Sequence, residues 1–326
     1  MTEEKFAYAV TSVRIKESTL LGTDFLEQLL ATRRYDDVRR QLAEHGWLSP
    51  ASEDDDAQLQ KLLVDSRELI DEVSPEPGLL DALILKNDYH NLKAALKCSF
   101  TGVSPEKYFI KPCLYDTDGL SSAVSDRRYE DLPEHMREAA GKAHEVYTRT
   151  QDGQYADLII DAAALAATRD AGILSDSPVI RFACELLCAA ADVKTAIRAI
   201  RTKKDAHFLD TALCECATLD KSELKAASLN GEEALISYLS QTPYGGAAQT
   251  LKENGNNSLS ALEKWFDDYL IGQIQYVKST FFGPDPLAAF YLAREIELRN
   301  IRILLSGKRH GVDDTVIRER MRRLYV

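Results

Sequence analysis

One helix is written three times into this chain. Asn91-Leu92-Lys93-Ala94-Ala95-Leu96-Lys97, Asp192-Val193-Lys194-Thr195-Ala196-Ile197-Arg198 and Asn300-Ile301-Arg302-Ile303-Leu304-Leu305-Ser306 share one template: amide or acid, aliphatic, cation, two spacers, aliphatic. A proline stands the same 14 residues ahead of each, at Pro77, Pro178 and Pro286. Proline suits the first turn of a helix, where its missing N–H costs nothing, and at ~1.5 Å per residue the motif then falls about 20 Å along the helix. An earlier motif opens each copy. Arg33-Arg34-Tyr35-Asp36-Asp37-Val38 recurs as Arg127-Arg128-Tyr129-Glu130-Asp131-Leu132, with a weaker echo around Tyr244, and Leu30, Val124 and Leu239 stand five residues before the tyrosines. The period is about 100 residues, too long for the roughly 34- and 40-residue units of common helical solenoids. Three small helical domains are expected, 1–115, 116–228 and 229–326, with the N-terminal helix belonging to the first or to the last.

The rest of the chain agrees with an all-α fold. Apolar residues recur at three- and four-residue intervals, as in the stripe Leu59, Leu62, Leu63, Ser66, Leu69, Ile70 and Val73, and no segment alternates with period two. Turn chemistry places breaks at 74–78, 116–119, 175–178, 242–246, 255–258 and 283–286, which leaves a dozen or more helices. Asn300 lies four residues from both Ile296 and Leu304, so its amide sits on an apolar stripe and needs buried partners; a packing role for Asn91, Asp192 and Asn300 follows. Lys93, Lys194 and Arg302, two residues on, face about 200° away. Around a common axis they would form a ring of cations; taken singly, each is a solvated face.

With 326 residues, 45% apolar and 28% charged, the composition is that of a folded globular protein. A net charge of −12 opposes sequence-independent binding to nucleic acid or to anionic lipid. The segment from Arg294 onward is the exception at +4, which leaves −16 for the remainder. Its Arg318, Arg320, Arg322 and Arg323 are either solvated cations near a helix C-terminus or a docking patch for an acidic partner. The sequence opens Met-Thr-Glu-Glu-Lys, without the basic flank and apolar run of a secretory signal, so a cytoplasmic location is expected. The longest uncharged stretch, 234–251, contains Pro243, Gly245 and Gly246 and does not read as a membrane span.

Catalytic signatures are lacking: there is no phosphate-binding glycine loop, no Gly-x-Gly-x-x-Gly, no His-Glu-x-x-His and no Gly-x-Ser-x-Gly. Cys184, Cys188, Cys214 and Cys216 raise a four-thiolate zinc site, but two of them fall on uninterrupted helix over 182–191, and reduced core thiols fit the spacing better. His207 reads as a surface residue. Asp54-Asp55-Asp56 reads as a helix N-terminus. Asp116-Thr117-Asp118-Gly119 does not continue into a calcium loop, since 124–127 supply no closing glutamate. No cofactor and no metal are expected.

Three segments give the chain a family likeness. The opening Phe6-Ala7-Tyr8-Ala9-Val10-Thr11-Ser12-Val13-Arg14-Ile15-Lys16-Glu17 with Leu20-Leu21, the stretch Asn87-Asp88-Tyr89-His90-Asn91-Leu92-Lys93, and Glu297-Leu298-Arg299-Asn300-Ile301-Arg302-Ile303-Leu304 followed by Gly307-Lys308 resemble the C subunit of the V-type (A/V-type) rotary ATPases, known as the d subunit in the vacuolar enzyme. The resemblance runs the whole length. It implies three similar helical domains arranged as a pseudo-threefold funnel, and a non-catalytic rotor subunit acting as a socket between the central shaft subunits and the membrane rotor ring. In that setting the protein lies at the cytoplasmic face of the membrane through the complex, without direct lipid or nucleic-acid binding. The middle copy departs from the pattern: Ala189 and Asp192 stand where the outer copies have Asp88 and Asn91, or Glu297 and Asn300.

Torque transfer asks for stiffness and charge-complementary ends, which an all-α socket supplies. Lys93, Lys194, Arg302, Arg318, Arg320, Arg322 and Arg323 are then the candidate contacts to shaft or ring. A helical scaffold unrelated to the rotary machine shares the composition and the lack of an active site, and a helical enzyme with a site assembled from distant residues is the third class.

Overall fold

The computed structural model describes residues 4–52, 54–255 and 258–326. The centre of the turn expected at 255–258 and the first three residues of the N-terminus lie outside the described residues. Among the described residues the chain forms sixteen α-helices and no strand, so it is all-α. In chain order these are α1 (Ala7–Glu17), α2 (Thr23–Ala31), α3 (Tyr35–Glu44), α4 (Asp55–Val73), α5 (Asp81–Thr101), α6 (Thr117–Ser125), α7 (Glu134–Thr150) and α8 (Gly153–Leu174). There follow α9 (Pro178–Thr202), α10 (Ala206–Ala212), α11 (Lys221–Leu229), α12 (Glu232–Leu239), α13 (Gly245–Asn254), α14 (Ser258–Gln273), α15 (Asp285–Arg309) and α16 (Asp314–Arg320).

Two compact units result. The first gathers Met1–Leu79, Asp176–Val179 and Asn254–Val326; the second holds Leu80–Ser175 and Ile180–Glu253. In the first unit α15 is buried on nearly every face of its middle turns, as its apolar run from Leu287 to Ala293 requires. Helices α1, α3, α4 and α16 pack on it. Helix α1 turns Val10 and Val13 inward, and its Arg14 donates to the Val277 and Thr280 carbonyls at 2.5 and 2.8 Å. The N-terminal helix therefore packs with the C-terminal segment. In the second unit α5, α6, α7 and α8 enclose a core of Leu92, Leu96, Leu120, Val124, Met136, Ala140 and Ile160. Helices α8 and α9 approach so closely that a Cβ on Gly172 would lie 2.5 Å from Cys184 Cβ.

Local chemistry sets the element boundaries. Asp54 caps α4 by accepting from the Ala57 N–H at 2.9 Å, as the acidic triplet suggested. Asp116 caps α6 by accepting from Gly119 N–H at 2.7 Å, so Thr117 to Gly119 form a first helical turn and not a break. The prolines divide. Pro178 opens α9 and Pro286 is the second residue of α15, but Pro77 stands in the turn before α5, where Gly78 at φ +70° delays the helix to Asp81. The helix written three times thus starts later in its first copy. The tyrosine motifs keep their place: Tyr35 opens α3, Tyr129 opens a short 3-10 turn, Tyr244 precedes α13, and Leu30, Val124 and Leu239 are all buried.

Candidate docking surface and the repeated clamp

Each repeated helix ties down a segment about 20 residues further along the chain. Asn91 donates through Nδ2 to the Ile110 carbonyl at 3.0 Å and accepts from the Ile110 N–H at 2.8 Å. Asn300 does the same to Arg322, at 2.9 and 2.8 Å. An amide side chain holds a single backbone residue by both its polar groups, which removes two orphans from the interior at once. Asp192 occupies the matching place in α9 and accepts from the Cys214 N–H at 3.0 Å. A carboxylate brings no donor of its own, so the middle clamp is one-sided, and its second oxygen takes the Cys216 thiol at 3.6 Å instead.

A carboxylate on each repeated helix ties down a further backbone segment. Asp88 accepts from the Leu114 and Tyr115 N–H groups at 2.9 and 3.2 Å. Glu297 accepts from the Leu21 N–H at 2.5 Å and pairs with Arg294 at 3.0 Å. Burial pushes the Glu297 carboxyl up to about 8, against the opposing pull of Arg294 and the Leu21 amide. The Arg294 guanidinium lies over the Trp47 ring at 4.9 Å and donates to Thr19 at 2.9 Å. In the middle copy Ala189 cannot serve. Glu185, one turn earlier on α9, accepts from the Thr218 N–H and hydroxyl at 2.8 and 2.6 Å. The departure seen in the sequence is thus met by a carboxylate four residues away, on the same helical face.

The candidate cations divide by environment. Lys93 pairs with Asp161 at 2.5 Å, and Lys194 is half-buried. Arg302 reaches Asp56 at 3.3 Å, and exposed Arg318 pairs with Glu27. Arg322 is different. It is 9% exposed, with Nε 3.0 Å from Asp267, and its backbone is the one Asn300 clamps, so its charge is turned into the fold. Arg320 and Arg323 are exposed and, among the described residues, have no acidic partner within 4.0 Å. Most of the positive tail is internally neutralised: Arg294, Arg299, Arg302, Lys308, Arg309, Arg318 and Arg322 all have acidic partners.

Several contributors have roles that the sequence did not show. Lys308 is buried and holds the Leu30 carbonyl at 2.6 Å and Asp314 at 2.5 Å, tying the end of α15 to α2 and α16. Asp267 serves Arg299 at 2.5 Å as well as Arg322. Asp55, beyond its place in a helix N-terminus, is buried and takes Arg39 at 2.8 Å, Arg309 at 3.2 Å and the Tyr35 hydroxyl. The first unit also exposes large apolar groups beside the Arg14 bridge: Tyr8 and Ile15 on α1, then Tyr276, Phe281 and Phe282.

All six cysteines are free thiols; Cys98, Cys184, Cys188 and Cys214 are buried, and Cys113 and Cys216 are half-buried. Among the described residues no cluster of His, Cys, Asp or Glu is arranged to hold a metal ion. His207 is exposed. No helix among the described residues is long and apolar enough to cross a membrane.

Comparison with known proteins gives a family. The model of the ATP synthase (C/AC39) subunit family matches residues 9–320, a span that includes Asn91, Asp192 and Asn300. The C subunit of the V-type sodium ATPase of Enterococcus hirae is 25% identical over 317 residues, covering 96% of this chain and 97% of that protein. The C subunit of the V-type ATP synthase of Thermus thermophilus is 26% identical over 337 residues, covering 97% of this chain and 98% of that protein.

Proposed function

Because the chain belongs to the ATP synthase (C/AC39) subunit family, we propose that it is the non-catalytic socket of a V-type ion-transporting ATPase, joining the central shaft to the membrane rotor ring and passing torque between them. The observation that supports this best is the family match over residues 9–320, which takes in Asn91, Asp192 and Asn300. In this reading 1–115, 116–228 and 229–326 are three copies of one helical domain set around a funnel axis. Each domain pins its long helix to its own downstream segment, so a twisting load meets hydrogen-bonded helices and not loose connections. Packed helical interiors have low compressibility and transmit strain, the property a coupling needs. The protein works at the cytoplasmic face of the membrane, held there by protein contacts, since a net charge of −12 disfavours anionic headgroups.

The shaft and the ring subunits are the partners. Their contacts fall on Lys93, Lys194, Arg302, Arg318, Arg320 and Arg323, and on the apolar group of Tyr8, Ile15, Phe281 and Phe282. Arg322, turned inward, drops from the set. Ion pairs such as Arg318–Glu27 are exposed and screened by solvent, so their cations are free to change partner. The ion, proton or sodium, is chosen by ligands in the ring subunits.

Two measurements test the reading. The chain should co-purify with a membrane ATPase, and electron microscopy of that complex should find it between shaft and ring; density elsewhere, or no association, rejects the socket. Replacing Arg302, Arg318, Arg320 and Arg323 together by Glu should weaken assembly in a salt-dependent way and leave helicity and melting unchanged. Normal assembly and coupling by that variant would remove the cations from the interface.

A further inference from the structure

Helix α1 has apolar side chains on two faces, and the first unit covers one of them. Ala9, Val10 and Val13 are buried, while Tyr8 and Ile15 stand 74% and 67% exposed. Seven residues separate the exposed pair, so they share a face two turns apart, about 10 Å along the axis. The Arg14 bridge sets a second apolar row beside the first. Its guanidinium holds the Val277 and Thr280 carbonyls, so Ile15 and Phe281 each lie one residue from a group in that bridge. Tyr276, Phe281 and Phe282 are 50 to 69% exposed. At roughly 200 Å² for a large side chain, the bare parts of these five residues come to about 600 Å². That is the upper end of what a monomer leaves uncovered, and it falls short of the ~800 Å² per partner of a stable globular interface. The area suits one docked helix.

Charge gives the occupant its sign. Lys16, Lys278 and Arg323 are exposed and, among the described residues, have no acidic partner within 4.0 Å. Packing gathers the last two. The Lys278 ammonium lies 5.0 Å from the Tyr325 ring, Gln275 donates to the Tyr325 carbonyl at 3.2 Å, and a Cβ on Gly272 would lie 3.5 Å from the Arg323 guanidinium. Carboxylates close to the two rows are engaged: Glu17 by Arg14 at 2.6 Å, and Asp285 by the Ser177 hydroxyl at 2.5 Å. In a chain of net charge −12, unpaired cations beside bare apolar surface complement a partner whose apolar ridge is flanked by carboxylates. A second copy of the chain fits poorly, because two-fold self-pairing would lay these cations against themselves.

We propose that α1 and the segment 276–282 form one docking platform for an acidic amphipathic helix of another protein. The aliphatic ridge of that helix lies along Tyr8, Ile15 and Phe281, and its flanking carboxylates meet Lys16, Lys278 and Arg323. An amphipathic helix laid on an apolar surface presents its anchors three and four residues apart, which matches the spacing along α1. The proposal deepens the socket reading by giving the chemistry of one contact, and it rests on that reading only for where the partner is met.

The test uses the purified full-length chain and a fluorescein-labelled, lactam-stapled helical peptide about four turns long, with leucines at three- and four-residue spacing flanked by glutamates. Anisotropy should show saturable binding with a Kd below about 100 µM, weakened about tenfold from low to high salt. Hydrogen exchange should show the peptide protecting 7–17 and 276–282, and a peptide with lysine for every glutamate should not bind. Lys16→Glu with Lys278→Glu should weaken binding about tenfold, as should Phe281→Ser with Phe282→Ser, each with unchanged circular dichroism. Absence of binding, equal affinity for the lysine peptide, or protection confined to other segments would each overturn the proposal. So would dimerisation through α1, or capture by phosphatidylglycerol vesicles with the same segments protected. The comparison of the two peptides uses the native chain, so a poorly folding variant does not shelter the proposal. No ATPase is present in the assay, so failure here and failure of co-purification are told apart.

Discussion

Asp192→Asn should remove a pH dependence that the native protein carries. The carboxyl is 1% exposed, and burial drives it up to about 7 against the opposing hydrogen bond from the Cys214 amide. In the unfolded chain the same aspartate titrates near ~3.9. Between about pH 4 and pH 7 the native state therefore holds a proton that the unfolded state has released, and a state that holds extra protons loses stability as pH rises. The loss is complete above pH 7. One unit of separation is worth about 1.36 kcal/mol, so three units set a ceiling of about 4 kcal/mol on the stabilisation given up. Asparagine keeps the acceptor for the Cys214 N–H, adds a donor, and carries no charge to desolvate, as Asn91 and Asn300 already do in their own copies. At pH 8 the variant should be more stable by about 2–4 kcal/mol, and near pH 4.5 the two proteins should match. Urea unfolding under reducing conditions, read from hydrogen-exchange protection of α9 peptides between pH 4.5 and 8, measures the difference directly. Other carboxylates are common to both proteins and cancel. Parallel stability curves across that range would show that Asp192 does not titrate on unfolding, and a variant weaker at pH 8 would refute the reasoning outright.

Two further outcomes follow from the same packing. Asn300→Ala removes both bonds to a buried backbone residue and leaves the Arg322 N–H and C=O without partners, so a loss of about 2–5 kcal/mol is expected in thermal or urea unfolding, against less than about 1 kcal/mol for Ala at exposed Ser306. Gly172→Ala would place a methyl 2.5 Å from Cys184 Cβ, an atom that no rotamer change moves; despite the better helix propensity of alanine, calorimetry should record about 1–3 kcal/mol lost and a lower melting temperature.

The sequence was most legible where the chain repeats itself. The offset from proline to amide or acid located Asn91, Asp192 and Asn300, and all three contact a downstream backbone, because a polar group on an apolar stripe has to be satisfied. What they contact was not legible. A side chain that bonds to a backbone amide makes no demand on that residue's type, so Ile110, Cys214 and Arg322 share no signature. Arg322 read as one more surface cation because its neutralising Asp267 lies 55 residues earlier. Pro77 read as a helix start because the conformation of Gly78, which delays the helix, is not written in residue type alone.

The order in which the protein is made now matters. The first unit is assembled from both ends of the chain, with α1 to α4 at the beginning and α15 and α16 at the end, while the second unit occupies the stretch between. A ribosome releases the early helices first, and at ~5–20 residues per second roughly 10–40 seconds pass between the end of α4 and the start of α15. Over that interval Leu42, Leu59 and Ile70, all buried in the finished protein, are without the helix on which α3 and α4 pack. The second unit is complete in sequence at Glu253, shortly before α15 begins at Asp285, and is free to fold as soon as α13 clears the exit tunnel. Synthesis therefore produces a finished middle trailed by an unfinished beginning, and the nascent chain's need for chaperone shelter concentrates on its first 79 residues.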